Sequence, residues 1–196
     1  MASTPRPRPP PQARRIDRRV LRTRQALRDA LLHLLVEKGW DALDIQALCD
    51  RANIGRSTFY LHFDNKEALL SGSFADLGEA LRAQAGPSGS ARTGDLPWLP
   101  GLLDHVHEQQ QVFRALLGRR SGHFVQERFR ALLVELVAGD LPKTSASGWP
   151  AQAAAHYLGG ALFQLLVWWL SAARAHSPRQ IEAMFKAWSA SVGGLP

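Results

Sequence analysis

Residues 43–70 read LDIQALCDRANIGRSTFYLHFDNKEALL, and their pattern decides the fold. Asp44 suits an N-cap, with a side-chain oxygen for the free amides of a helix starting at Ile45. That helix runs to about Ala52 and turns Ile45, Leu48 and Cys49 inward. Asn53-Ile54-Gly55 reads as a tight turn, because Asn and Gly tolerate left-handed backbone. A second short helix, Arg56–Tyr60, follows. Asp64, with Glu67 three positions on, approximates a capping box. It opens a long helix with Leu70, Phe74, Leu77 and Leu81 on one stripe.

Outward from this centre the chain stays helical. Upstream, Val20, Leu27, Leu31, Leu34 and Leu35 recur at three- and four-residue steps, predicting a helix over Asp17–Lys38 closed by a C′ glycine at Gly39. The first fifteen residues, MASTPRPRPPPQARR, hold five prolines and four arginines and read as an unfolded or polyproline-like arm. Such an arm is either a frayed terminus or a basic strand for DNA phosphates and a minor groove. Downstream, residues 86–97 (GPSGSARTGDLP) are a linker by composition. Helical stripes then run through Trp98–Val106 and Val125–Leu136, separated by a break near Gly118–Gly122. A loop at 143–148 leads to Pro150–Arg174. Ser177-Pro-Arg-Gln180 is a capping box with proline at N1, opening a last helix through Ile181, Phe185, Trp188 and Val192. We expect an all-α chain of about nine helices, divided into an arm (1–16), an N-terminal unit of short helices (17–66) and a helical C-terminal part (67–196).

Composition narrows the class. Of 196 residues, 45% are apolar and 21% charged, a globular profile. One cysteine excludes a disulfide framework and fits a reducing, cytoplasmic setting. The net charge of +7 is concentrated: residues 1–66 hold 13 Lys/Arg against 7 Asp/Glu, and residues 67–196 hold 11 against 10. The basic third is suited to an anion. Residues 151–170 (AQAAAHYLGGALFQLLVWWL) carry no formal charge and are long enough for a membrane span. Gln152, His156 and Gln164 form a polar stripe along them, so the expectation is an interface helix and no membrane. A two-helix face with Ile181–Val192, built on Gly159, Leu162, Leu166, Trp169, Phe185 and Trp188, would be completed to a four-helix bundle by a second copy.

Two short helices joined by a three-residue turn are helix-turn-helix organisation, in which the second helix enters a major groove. Arg56, Ser57 and Thr58 begin that helix, while Tyr60, His62 and Lys66 follow as donors for phosphates, and Arg22 and Thr23 add backbone contacts from the first helix. The stretch resembles the N-terminal domain of the TetR family of transcriptional regulators, matching its pattern at Asp44, Leu48, Cys49, Ala52, Ile54, Tyr60, Phe63, Lys66 and Glu67. That resemblance covers roughly residues 17–70. It implies that Tyr60 and His62 grip the DNA backbone and that Lys66 holds a phosphate. It also implies that Arg56, Ser57 and Thr58 read sequence, and that Ile54 and Phe63 are core. Asn53, Gly55 and Cys49 stand where the family commonly has glycine, serine and alanine. The implied function is a homodimeric repressor on a palindromic operator of double-stranded DNA, released by a small-molecule effector. An activator of the same fold, or a helical protein meeting an acidic partner, are the alternatives.

The remaining chemistry is sparse. No nucleotide loop, nucleophile elbow or H-E-x-x-H occurs, so no enzyme activity, cofactor or metal is expected. His105 and His107, two apart on a helix, do not face each other. Cys49 reads as core. Six tryptophans either fill helix–helix cores or line an effector cavity, with Trp98, Phe113, Leu117, Phe124 and Phe129 as the candidate lining. Arg119-Arg120 reads as a solvated pair or a greeting for an anionic ligand.

Overall fold

The computed structural model describes residues 11–85, 96–118, 122–141, 150–172, 174 and 176–193, with 11–17 and 191–193 described by backbone alone. Among the described residues the elements are helices: α1 (Pro11–Lys38), α2 (Ile45–Ala52), α3 (Arg56–Tyr60), α4 (Lys66–Ala85), α5 (Leu99–Glu108), α6 (Gln110–Leu117), α7 (Gly122–Asp140), α8 (Ala151–Ser171) and α9 (Pro178–Gly193). Residues 86–95 of the linker expected at 86–97, the loop expected at 143–148, the Arg119-Arg120 pair and the first ten residues lie outside the described residues.

The local signals explain most boundaries. The Asp44 carboxylate accepts from Ala47 N at 2.7 Å, and Asn53 ends α2 with a left-handed φ of 52°. Gly39 takes φ 79° and closes α1 through its amide to Leu35 O. At α9, Ser177 N donates to Gln180 Oε1 at 2.9 Å while Gln180 N donates to Ser177 Oγ at 3.3 Å, a reciprocal capping box. Three boundaries differ from expectation, one of them the end of α8 at Ser171 in place of Arg174. The first helix begins at Pro11, six residues inside the arm expected at 1–16, because proline is accommodated in a first turn where its missing donor costs nothing. Asn65, not Asp64, caps α4 by accepting from Ala68 N at 2.7 Å.

A single apolar core joins the N-terminal and C-terminal helices. Leu27, Leu31 and Leu35 of α1 meet Leu48, Cys49 and Phe59 within it. Further along, α7 packs chiefly on α8, and α5 on α9. The α7–α8 crossing is tight because Gly159 lies against Val134, where an added Cβ would sit 2.8 Å from Val134 Cγ2 and 3.0 Å from its backbone.

That packing relocates the face expected for a second copy. Leu162 and Leu166 are fully buried, Gly159 serves the intrachain crossing, and Trp169 is buried with its Nε1 donating to His176 O at 2.9 Å. Phe185 is buried as well, and of the six expected residues Trp188 alone is well exposed, at 62%. Contacts within the chain cover one side of α8, while Tyr157 and Trp168 on its other side stay exposed. Half of the apolar α8 window is buried there, and α8 is the described helix long and apolar enough to cross a membrane. Its polar stripe of Gln152, His156 and Gln164 is exposed.

The expected effector lining is likewise core. Trp98, Phe113, Leu117 and Phe129 are buried, and Phe129 fills the centre with ring contacts to Phe74, Phe113 and Phe163. Trp98 donates through Nε1 to Asp140 at 2.7 Å. Phe124 stacks on Trp40 at 5.6 Å.

Candidate nucleic-acid interface

The α2–α3 unit presents a polar surface because its apolar residues point the other way. Phe59 is fully buried, whereas Arg56, Ser57 and Tyr60 around it are exposed and Thr58 is half-buried. In a five-residue helix this segregation leaves the Arg56–Ser57 end and the Tyr60 ring free to meet a duplex. Tyr60 is held edge-on to Phe59, with ring centroids 5.5 Å apart.

Residues of α1 and α4 flank this helix. His62 is half-buried, and burial together with the positive Arg24 pushes its imidazole below the ordinary range. Arg24, absent from the sequence-based set, lies over the Phe63 ring at 5.6 Å and remains exposed. Its place in a run of helix-1 arginines was the available signal. Arg22 is exposed, while the Thr23 hydroxyl donates to Arg19 O at 3.0 Å, so its proton is committed within the helix.

Lys66, expected as a phosphate ligand, also bonds within the chain. Its Nζ donates to Trp40 O at 3.0 Å and Leu43 O at 2.8 Å and lies 4.6 Å from the Trp40 ring centroid. The ammonium therefore fastens the α1–α2 connection to the start of α4. Beside it, a cleft of about 490 Å³ opens where the first turns of α2 and α4 meet Arg56. Unpaired amides at two helix starts give such a cleft a positive end, partly offset by Asp44 and Glu67.

Elsewhere the histidines are separated as expected. His105 packs edge-on against Phe113, whereas His107 stacks on Trp169, so the two rings diverge. Among the described residues there is no group of three or more His, Cys, Asp or Glu able to hold a metal. Cys49 is buried, which raises its thiol pKa.

The α2–turn–α3 segment also matches a family of known proteins. Residues 27–72 fit the model of bacterial regulatory proteins of the tetR family. Over 90% of this chain and 98% of the other, the fold superposes on a TetR transcriptional regulator from Streptococcus agalactiae, with TM-score 0.67 and 26% identity. Its helix-turn-helix region is that of the TetR family. A TetR-family regulator from Syntrophomonas wolfei shares the fold at TM-score 0.67 and 17% identity, over 89% of this chain and 96% of that one. An uncharacterised HTH-type transcriptional regulator of Bacillus subtilis, YxbF, is 30% identical over 179 residues, or 88% of this chain. The chain spans about half the length of that relative, 46%.

Proposed function

We propose that this chain is a homodimeric, sequence-specific DNA-binding repressor of the cytoplasm that recognises a palindromic operator. The observation carrying this reading is the exposed Arg56–Ser57–Tyr60 surface raised on a buried Phe59 between two capped helices. In it, Arg56, Ser57 and Thr58 read base edges, Tyr60, His62, Arg22 and Arg24 meet the backbone, and Lys66 holds the scaffold that aims them. A second copy covers the outer face of α8 and α9. There Tyr157, Trp168 and Trp188 are exposed around an apolar groove of about 400 Å³ floored by Leu165 and Phe185. Two-fold symmetry then sets the half-site spacing.

Release is a population shift between spacings of the two α3 helices, biased by a small molecule. The continuity of α4 supports it. Its first turn abuts the α1–α2 connection, Asp76 pairs with Arg28 of α1, and Gly78 lies against Leu132 of α7. Movement in the C-terminal helices thus displaces the DNA-binding unit.

The test is affinity selection of genomic fragments on the purified chain, followed by fluorescence anisotropy on the enriched duplex at two salt concentrations. One palindromic sequence bound far more tightly than random DNA is the expected result. Uniform, salt-sensitive binding with no enriched site would overturn the reading in favour of an acidic protein partner.

A further inference from the structure

The α1–α2 connection, residues 39–44, docks on the start of α7. Trp40 is buried there and stacks on Phe124, with ring centroids 5.6 Å apart and planes 18° apart. Gly122, the first residue of α7, takes φ 72°. It comes so close that an added Cβ would lie 3.1 Å from Trp40 Cδ1 and 3.3 Å from Asp41 Oδ1. The Asp41 carboxylate therefore stands at the first turn of α7, where free backbone amides favour an anion. Val125 and Phe129 of α7 are fully buried in the core, whereas Phe124 is half-buried at its edge.

Trp40 is held from the DNA-binding side as well. Its carbonyl accepts from Lys66 Nζ at 3.0 Å and from the Leu43 amide at 3.2 Å, and the same ammonium donates to Leu43 O at 2.8 Å. Leu43 precedes the Asp44 cap of α2, and α2 packs on α3. A short path of contacts thus runs from the Phe124 ring to α3.

A separate tie between the DNA-binding unit and the C-terminal helices runs through α4, whose Asp76 pairs with Arg28 of α1. Arg28 lies about 15 Å from Lys38 along α1. A rigid unit held at one place tilts about it, and a second hold at that distance opposes the tilt. While α1 packs on α6 too, Trp40 meets α7 beyond the end of α1, on the connection that leads into α2. Resting on the proposed dimeric, operator-binding function, we infer that Phe124 is a positioning residue, which through Trp40 fixes the tilt of the DNA-binding unit and hence the half-site spacing that a dimer accepts. It touches no DNA. Phe124 contributes selectivity for spacing, while the α3 side chains contribute base preference.

The test compares the full chain with Phe124→Ala, which removes the ring, and Phe124→Tyr, which keeps it. Circular dichroism melts establish that each is folded at the assay temperature, and Phe124→Leu replaces the alanine variant should that one not fold. Anisotropy uses the selected palindrome, the same palindrome with one base pair added between its halves, and a duplex holding a single half-site. The added base pair parts the half-sites by about 3.4 Å and turns them by about 35°. The parent and Phe124→Tyr bind the lengthened palindrome about tenfold more weakly than the selected one, because engaging both halves at once depends on geometry. Phe124→Ala loses affinity for the selected palindrome, keeps a preference over the lengthened one of about threefold or less, and matches the parent on the single half-site. An unchanged spacing preference in Phe124→Ala would overturn the inference, as would an equal loss on all three duplexes.

Should the parent select no palindrome, the repressor reading fails, and the joint stands or falls on distances in the free protein. Spin labels at Leu61→Cys, just past α3, and Gln152→Cys, on α8, occupy exposed sites in a Cys49→Ala background. Dilution with unlabelled chain keeps the measured pairs within one chain. A broader distance distribution after Phe124→Ala supports the joint, and equal widths overturn it.

Discussion

The Lys66 ammonium and the Trp40 indole lie 4.6 Å apart, and the same ammonium donates to the carbonyls of Trp40 and Leu43. One side chain at the start of α4 thereby closes both ends of the α1–α2 connection and covers its aromatic residue. Trp40 is buried and also stacks on Phe124 of α7, so the contact reaches from the DNA-binding unit into the C-terminal helices.

Lys66→Met removes this cation, takes the ammonium donor from the part-buried Leu43 carbonyl and leaves Trp40 O with the Leu43 amide alone, at 3.2 Å. We expect a loss of about 1–3 kcal/mol in unfolding free energy without any DNA present. Urea denaturation of the free protein checks it. A variant as stable as the parent would return Lys66 to a purely phosphate-binding role.

Gly159 and Gly160 are adjacent on α8 but opposite in environment. A Cβ at 159 meets the Val134 backbone at 3.0 Å, whereas nothing lies within 4 Å of one at 160. Gly159→Ala should destabilise by about 1–3 kcal/mol through overpacking. Gly160→Ala should be neutral or stabilising by up to about 1 kcal/mol, from helix propensity. Thermal melts of the two variants separate the cases, and equal shifts would contradict the tight α7–α8 crossing.

Burial lowers the pKa of both His62 and His105, with Arg24 adding to it at His62 and Glu108 opposing it at His105. The unfolded chain, with imidazoles near 6.5, then binds more protons than the native one over the window below that value. Stability is complete above the unfolded value and falls as pH drops through it towards the folded values. Urea midpoints at pH 7.5 and 5.5 should show this decline. In His105→Gln it should be shallower, and an unchanged slope would remove His105 from the account.

Trp188→Ala should weaken self-association of the chain, because its 62% exposed ring caps the α8–α9 groove. Sedimentation velocity across micromolar concentrations reads the outcome directly. A parent that is already monomeric there would exclude this face as the dimer contact.

What was legible in the sequence follows the range of the forces involved. Asp44, Asn53, Gly39 and the Ser177–Gln180 pair act on amides within four residues, and their caps and turns appear where the spelling places them. The α2 and α3 limits coincide with expectation for that reason. Lys66 acts across 23 and 26 residues of chain, on carbonyls that no local pattern marks. The α8 residues show a related gap. A helix apolar on many sides declares that it must be covered, but not whether α7 or a second copy does so. Pattern alone assigns Leu162 and Leu166 to a second copy, whereas α7 and its neighbours already hold them. The aromatic set around Phe129 is ambiguous in the same way, since rings that line a cavity and rings that fill it have the same sequence.

The Trp40–Phe124 stack also bears on modular engineering. Gly122, at φ 72°, brings α7 close enough that an added Cβ would sit 3.1 Å from the Trp40 ring. A graft of residues 1–66 onto the C-terminal helices of a related protein therefore carries Trp40 without the Phe124 ring that stacks on it. Such a chimera inherits an exposed indole at its joint unless the recipient supplies a flat side chain at the Phe124 position and a glycine two residues before it. The unit of exchange in this protein is the reader together with the first turn of α7, not the reader alone.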